Sequence, residues 1–289
     1  MKKSRMQKTV TPQFWALTGT AVGVWLVVGL ITLAVPMLQG PWLAGSIAAG
    51  ATAFGALPAL GTAGLPQKMT DTLYGFGAGV MLAAAAFALI APSVTQLTAS
   101  FGTVPGALAA GAAVLVGGLL IMVLERTLPH QHFIKTESHG DSARLRRIWL
   151  FVFAIALHNL PEGLAIGVSH WGEGPAAVAV TAGIALQDAP EGLVVALALV
   201  QAGYSRTKSF AVALLTGLVE PIGAVLGAAA VVAVAGLIPW SLALAGGAML
   251  FVISHEVIPE SHRQGHEAHA TCGLMFGFVV MMVFDATLG

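Results

Sequence analysis

The sequence predicts an all-α polytopic membrane protein with nine transmembrane helices. Three observations lead there. Hydrophobic residues make up 57% of the 289-residue chain and charged residues only 9%, far from the balance of a soluble domain. A helix needs about 20 apolar residues to cross the hydrocarbon core, and nine runs of that order are separated by charge, proline or glycine clusters. With nine spans, every Lys and Arg falls on one side of the membrane, as the positive-inside rule requires.

The first run, 14–38, follows the basic stretch "MKKSRMQK". It is read as a helix because its apolar part is about twice the length of a signal-peptide core and no small-x-small cleavage site follows. Runs 43–65, 72–95 and 105–124 come next, with essentially no ionisable residue in their apolar interiors. The fifth and sixth runs, 148–168 and 175–200, are joined by "SHWGEG" and form an antiparallel hairpin. Runs 209–235, 239–258 and 272–288 complete the set. Small residues, as in "AGVMLAAAAFA" at 78–88, permit close helix packing.

The charges fix the orientation. Lys2, Lys3, Arg5 and Lys8 precede the first span, and Lys68 separates the second from the third. Arg126, Lys135, Arg144, Arg146 and Arg147 follow the fourth, Arg206 and Lys208 the sixth, and Arg263 the eighth. The opposite loops, near Gln39, Ser100, Gly172 and Gly236, contain neither residue. The N-terminus is therefore expected in the cytoplasm and the C-terminus outside. An Ala-rich, Lys-poor chain with short loops suits a bacterial cytoplasmic (inner) membrane.

Several functions are excluded. A single cysteine, Cys272, leaves no disulfide framework and no Cys-built zinc site. The basic loops are short and explained by topology, so nucleic acid is not a partner, and without a Walker motif neither is ATP. The longest loop, 125–147, holds His130, His132 and His139, and "PESHRQGHEAHA" holds His262, His266 and His269. These histidines either collect metal or are solvated loop residues.

Buried ionisable groups concentrate in the second half. "HNLPEGLAIG" begins at His158 and "QDAPEGLVVA" at Gln187. In each, the first residue and the glutamate, Glu162 or Glu191, lie four apart and share a helix face. The intervening Asn159 or Asp188 adds an oxygen three residues from the same glutamate. Pro161 and Pro190 free the carbonyls of Leu157 and Leu186, and with Gly163 and Gly192 they predict locally broken helices lining a cavity. Counted outward from Gly172, His158 and Gln187 lie at nearly equal depth, which gives the hairpin an inverted-repeat character.

Glu162, Asp188, Glu191 and Glu220 carry four negative charges when ionised, with no Lys or Arg inside the spans to offset them. Protons could do so, making a relay for some other solute, and so could two divalent cations. Histidine with many oxygens suits Zn²⁺, Fe²⁺ or Mn²⁺ better than Mg²⁺. His255 and Glu256 in the eighth span either line a cytoplasmic exit path for metal or form an interhelical pair. An enzyme is not expected: Pro259 stands where H-E-x-x-H requires its second histidine, and the Glu-x-x-His of di-iron sites is missing.

On the two paired motifs, supported by "GLVEPIG" and "ISHEVIPESH" in the following spans, the sequence resembles the ZIP (Zrt/Irt-like protein) family of divalent-metal transporters. The resemblance covers about the last two-thirds of the chain. It implies a carrier for zinc and similar metals such as cadmium and iron, with no cofactor beyond the metal substrate. It also implies a homodimer and an eight-helix core over 41–289, with 1–40 supplying the cytoplasmic N-terminus and an extra helix. By position, one metal would lie near His158, Glu162, Gln187, Asp188 and Glu191, with Met81 as a thioether ligand. A second would lie near Asn159, Asp188 and Glu220, bridged by Glu162 and Glu191. Many family members have histidine where this chain has Gln187. The family is described as sliding a helix bundle against a scaffold.

Overall fold

A computed structural model describes residues 12–62, 64–127, 141–170, 175–233 and 235–288. Among them every regular element is helical. Apolar composition explains why. Backbone polar groups have no water partner in hydrocarbon, so each segment must bond internally.

The helices among the described residues follow one another along the chain as follows. They are α1 (Pro12–Ala34), α2 (Pro36–Ala56) with a 3₁₀ turn over Leu57–Leu60, and α3 (Gln67–Ala83) running on into α4 (Ala91–Phe101). Next come α5 (Thr103–Thr127), α6 (Asp141–Ser169), α7 (Pro175–Gln201) and the pair α8 (Arg206–Gly217) and α9 (Val219–Ala233). Last are α10 (Ile238–Val252), continuing into α11 (Ile258–His262), and α12 (Glu267–Leu288). Among the described residues, seven rods are long and apolar enough to cross a membrane, from Pro36–Leu60 to Glu267–Leu288. The two other predicted spans coincide with α1, whose apolar stretch is Val22–Ala34, and with α6.

Proline shapes these rods differently from the expectation. The predicted breaks at Pro161 and Pro190 do not occur, because α6 and α7 remain helical through both. One missing bond is tolerated within 29- and 27-residue helices that pack against neighbours on several sides. The break falls instead between Gly217 and Val219, where Pro221 cannot donate to the carbonyl of Gly217. Glu220 therefore sits in the first turn of α9. Two wider π turns, Ala84–Ile90 and Ile253–Val257, precede Pro92 and Pro259, whose i−4 carbonyls, on Ala88 and His255, they contain.

Packing sorts the rods into two groups. In one, α2, α6, α7 and α8–α9 touch one another, and in the other α3–α4, α5, α10–α11 and α12 do so. The α6–α9 contact is close. A Cβ on Gly163 or Gly167 would run into the carbonyls of Glu220 or Ala224, which sets α9 directly against the "PEG" turn. At the end where α6 begins, Trp149 Nε1 donates to Tyr204 Oη at 2.8 Å above an apolar cluster including Val152, Ile155 and Leu199. Large apolar side chains such as Leu108, Leu115 and Phe276 are exposed on α5 and α12, a surface that hydrocarbon solvates and water does not.

Candidate metal centre

Within the first group of rods, α6, α7 and α9 carry a cluster of polar side chains. Asn159, Glu162, Gln187, Asp188 and Glu220 are each at most 1% exposed, and Glu191 is partly buried beside them. One ligand oxygen from each of Glu162, Asp188 and Glu191 lies within 4.8 Å of the others. On α7, Asp188 and Glu191 lie three residues apart and so on neighbouring positions of one face, near Glu162 of α6.

The donors in this cluster are neutral. Gln187 Nε2 donates to Glu162 Oε1. Glu220 Oε1 accepts from Asn159 Nδ2 at 3.2 Å and from Thr52 Oγ1 on α2 at 3.3 Å. Beyond these bonds, six buried oxygens have no hydrogen-bond partner: Asn159 Oδ1, Glu162 Oε2, Gln187 Oε1, Glu220 Oε2 and both Asp188 carboxylate oxygens. Among the described residues no Lys or Arg pairs with Glu162, Asp188 or Glu220. Asp188 instead faces the carboxylates of Glu220 and Glu191. Buried carboxylates with no cationic side chain beside them must be neutralised, by protons or by a cation that enters the cluster.

The remaining predicted positions divide. His158 stands on α6 four residues before Glu162, with its side chain outside those described. Met81 is buried in α3, within the apolar cluster shared with α10 and α12. His255 lies on the π turn, exposed and stacked on Phe251 at 5.1 Å, and Glu256 beside it is half-buried. His130, His132 and His139 lie outside the described residues. Of the other loop histidines, His262 Nε2 meets Thr271 Oγ1 at 3.2 Å and His266 Nδ1 meets Asp71 Oδ2 at 3.0 Å. Asp71 is 1% exposed and also accepts from Gln67 Nε2 at 2.8 Å. Sequence reasoning misses Asp71 because it precedes the third apolar run, and misses Thr52 because a lone threonine in an apolar helix carries no signal.

An all-helical membrane protein with buried carboxylates and amides gathered at one place, and no cationic side chain paired with them among the described residues, has the make-up of an integral membrane transporter of cations. Within that class, the chain belongs to the ZIP zinc transporter family, whose family model matches residues 129–285. It is 46% identical over 255 residues to zinc transporter GufA of Myxococcus xanthus, covering 87% of this chain and 100% of that protein. It is 47% identical over 251 residues to zinc transporter ZIPB of Bordetella bronchiseptica, covering 86% and 81%. Zinc transporter ZupT of Streptococcus mutans is 29% identical over 246 residues, covering 82% of this chain and 93% of that protein. The protein is thus a transporter of metal ions and not an enzyme.

Proposed function

We propose that the protein carries zinc, and with it cadmium and iron of the same ligand preference, into the bacterial cytoplasm through a two-metal site at mid-membrane. The observation that carries this reading is the set of six unpartnered oxygens among Asn159, Glu162, Gln187, Asp188 and Glu220. Each charged group at mid-bilayer costs several kcal/mol, and the cargo removes that cost by neutralising the group. One ion takes His158, Glu162, Gln187, Asp188 and Glu191, with Met81 in reserve as a soft ligand. The second takes Asn159, Asp188 and Glu220, with Glu162 and Glu191 bridging. Mixed imidazole, amide and carboxylate donors favour zinc-class ions over magnesium.

Orientation in the membrane follows from the side on which Lys and Arg collect: the N-terminus lies in the cytoplasm and the C-terminus outside. His255 and Glu256 then belong to the cytoplasmic exit. The eight rods after α1 form the transporter core, which works as a homodimer without ATP. The test is zinc and cadmium uptake into proteoliposomes holding an internal metal indicator, with no ATP and no pH gradient. The unaltered protein should fill the vesicles and Asp188→Ala should not. Equal filling by both would remove the site from the pathway.

A further inference from the structure

We infer that Thr52 is a positioning residue of the metal site, orienting the Glu220 carboxylate so that one of its oxygens is presented to the ion. The inference rests on the function proposed above and adds a residue from α2 to a site otherwise built on α6, α7 and α9.

Thr52 is 1% exposed and is brought to the site by two close approaches. A Cβ on Gly192 of α7 would collide with the Thr52 carbonyl, and one on Gly217 at the end of α8 would lie 3.0 Å from Thr52 Oγ1. Larger residues at either place would push α2 away from the cluster. The hydroxyl then reaches Glu220 Oε1 at 3.3 Å, beside the 3.2 Å bond from Asn159 Nδ2. Both donors fall on one oxygen, so the carboxylate cannot rotate freely and Oε2, which has no partner, is the atom presented to an incoming ion.

Thr52 Oγ1 also lies 3.4 Å from the carbonyl of Ala48 in its own helix. A hydroxyl has one proton and rotates to suit its surroundings. When an ion neutralises Glu220, that proton can turn to Ala48, so the donor is released without becoming unsatisfied. A lysine ammonium at this place could not withdraw in that way and would compete with the cargo.

The experiment compares zinc binding by calorimetry and the zinc dependence of uptake in the unaltered protein, Thr52→Val and Thr52→Ser. Partners that orient metal ligands typically contribute a factor of ~10–100 in affinity. Valine keeps the shape and removes the hydroxyl, so it should weaken zinc binding roughly tenfold and raise the KM for uptake more than it lowers the maximal rate. Serine keeps the hydroxyl and should recover most of the affinity. The melting temperature of the metal-free protein separates loss of folding from loss of alignment, and Thr52→Ala replaces valine if valine does not fold. Zinc affinity unchanged by valine, or reduced equally by serine and valine, would overturn the inference and leave the metal site standing. If the unaltered protein bound no zinc, the proposed function itself would fall.

Discussion

Replacing Asp188 by asparagine should make the metal-free protein more stable and shrink the further stabilisation that zinc gives. Two carboxylates 4.8 Å apart repel by about 3.5 kcal/mol at an effective dielectric near 20. Asp188 has Glu162 and Glu191 inside that distance, so full ionisation of the trio sets it against about 7 kcal/mol. Protons and local water relieve most of this. Asparagine keeps the shape, removes one charge and offers an NH₂ to its neighbours, where a hydrogen bond to a charged group is worth ~1.5–3 kcal/mol. A net gain of about 1–3 kcal/mol without metal is therefore expected. With zinc the advantage shrinks. A ligand at 100 times its Kd stabilises by ~2.7 kcal/mol, and a tenfold loss of affinity halves that to ~1.4 kcal/mol. Thermal melts in detergent, first with chelator and then with a fixed excess of zinc, measure both quantities. A variant that melts below the unaltered protein in chelator would refute the reasoning, because Asp188 would then be satisfied by a partner other than the cargo.

Two further outcomes follow from the same packing. Gly163→Ala places a methyl against the carbonyl of Glu220, so α9 must shift. A loss of ~1–3 kcal/mol in stability is expected together with weaker zinc uptake, read from melts and vesicle filling. His266→Ala leaves the buried carboxylate of Asp71 with Gln67 as its remaining side-chain donor. Stability should fall by ~1–3 kcal/mol while the KM for zinc stays unchanged, which kinetic uptake assays would check.

The carboxylates are legible in the sequence because an ionisable group within an apolar run is rare and costly. Glu162, Asp188, Glu191 and Glu220 therefore mark the site by residue type alone, and the offsets to Asn159 and Gln187 supply the neighbouring oxygens. Thr52 is not legible. Threonines in apolar helices commonly bond their own preceding turn, as Thr32 does to Gly29 and Thr181 to Ala177, so the residue type says nothing about a carboxylate 168 positions away. The helix break is legible in kind and misplaced in position. Pro161, Pro190 and Pro221 each remove one bond, but only at Pro221 does the affected carbonyl belong to a glycine, Gly217, whose backbone resists continuing the helix. Both π turns depend on how neighbouring rods pack around Pro92 and Pro259, which periodicity does not record.

The choice of donors explains how one cluster can both attract an ion and release it. A buried carboxylate paired with Lys or Arg is held strongly, and breaking such a pair costs ~3–5 kcal/mol. An ion would have to repay that cost on arrival. Here the partners are an amide from Gln187, an amide from Asn159 and the Thr52 hydroxyl, each worth ~1.5–3 kcal/mol to a charged acceptor. Neutral donors order the carboxylates without contributing a positive charge, so they do not themselves offset the attraction for a cation. The amide oxygens of Asn159 and Gln187 meanwhile stay unpartnered. Each amide can thus turn its oxygen to the ion while its NH₂ still holds a glutamate. In the proposed path these donors would place no fixed positive charge beside the carboxylates to repel a cation.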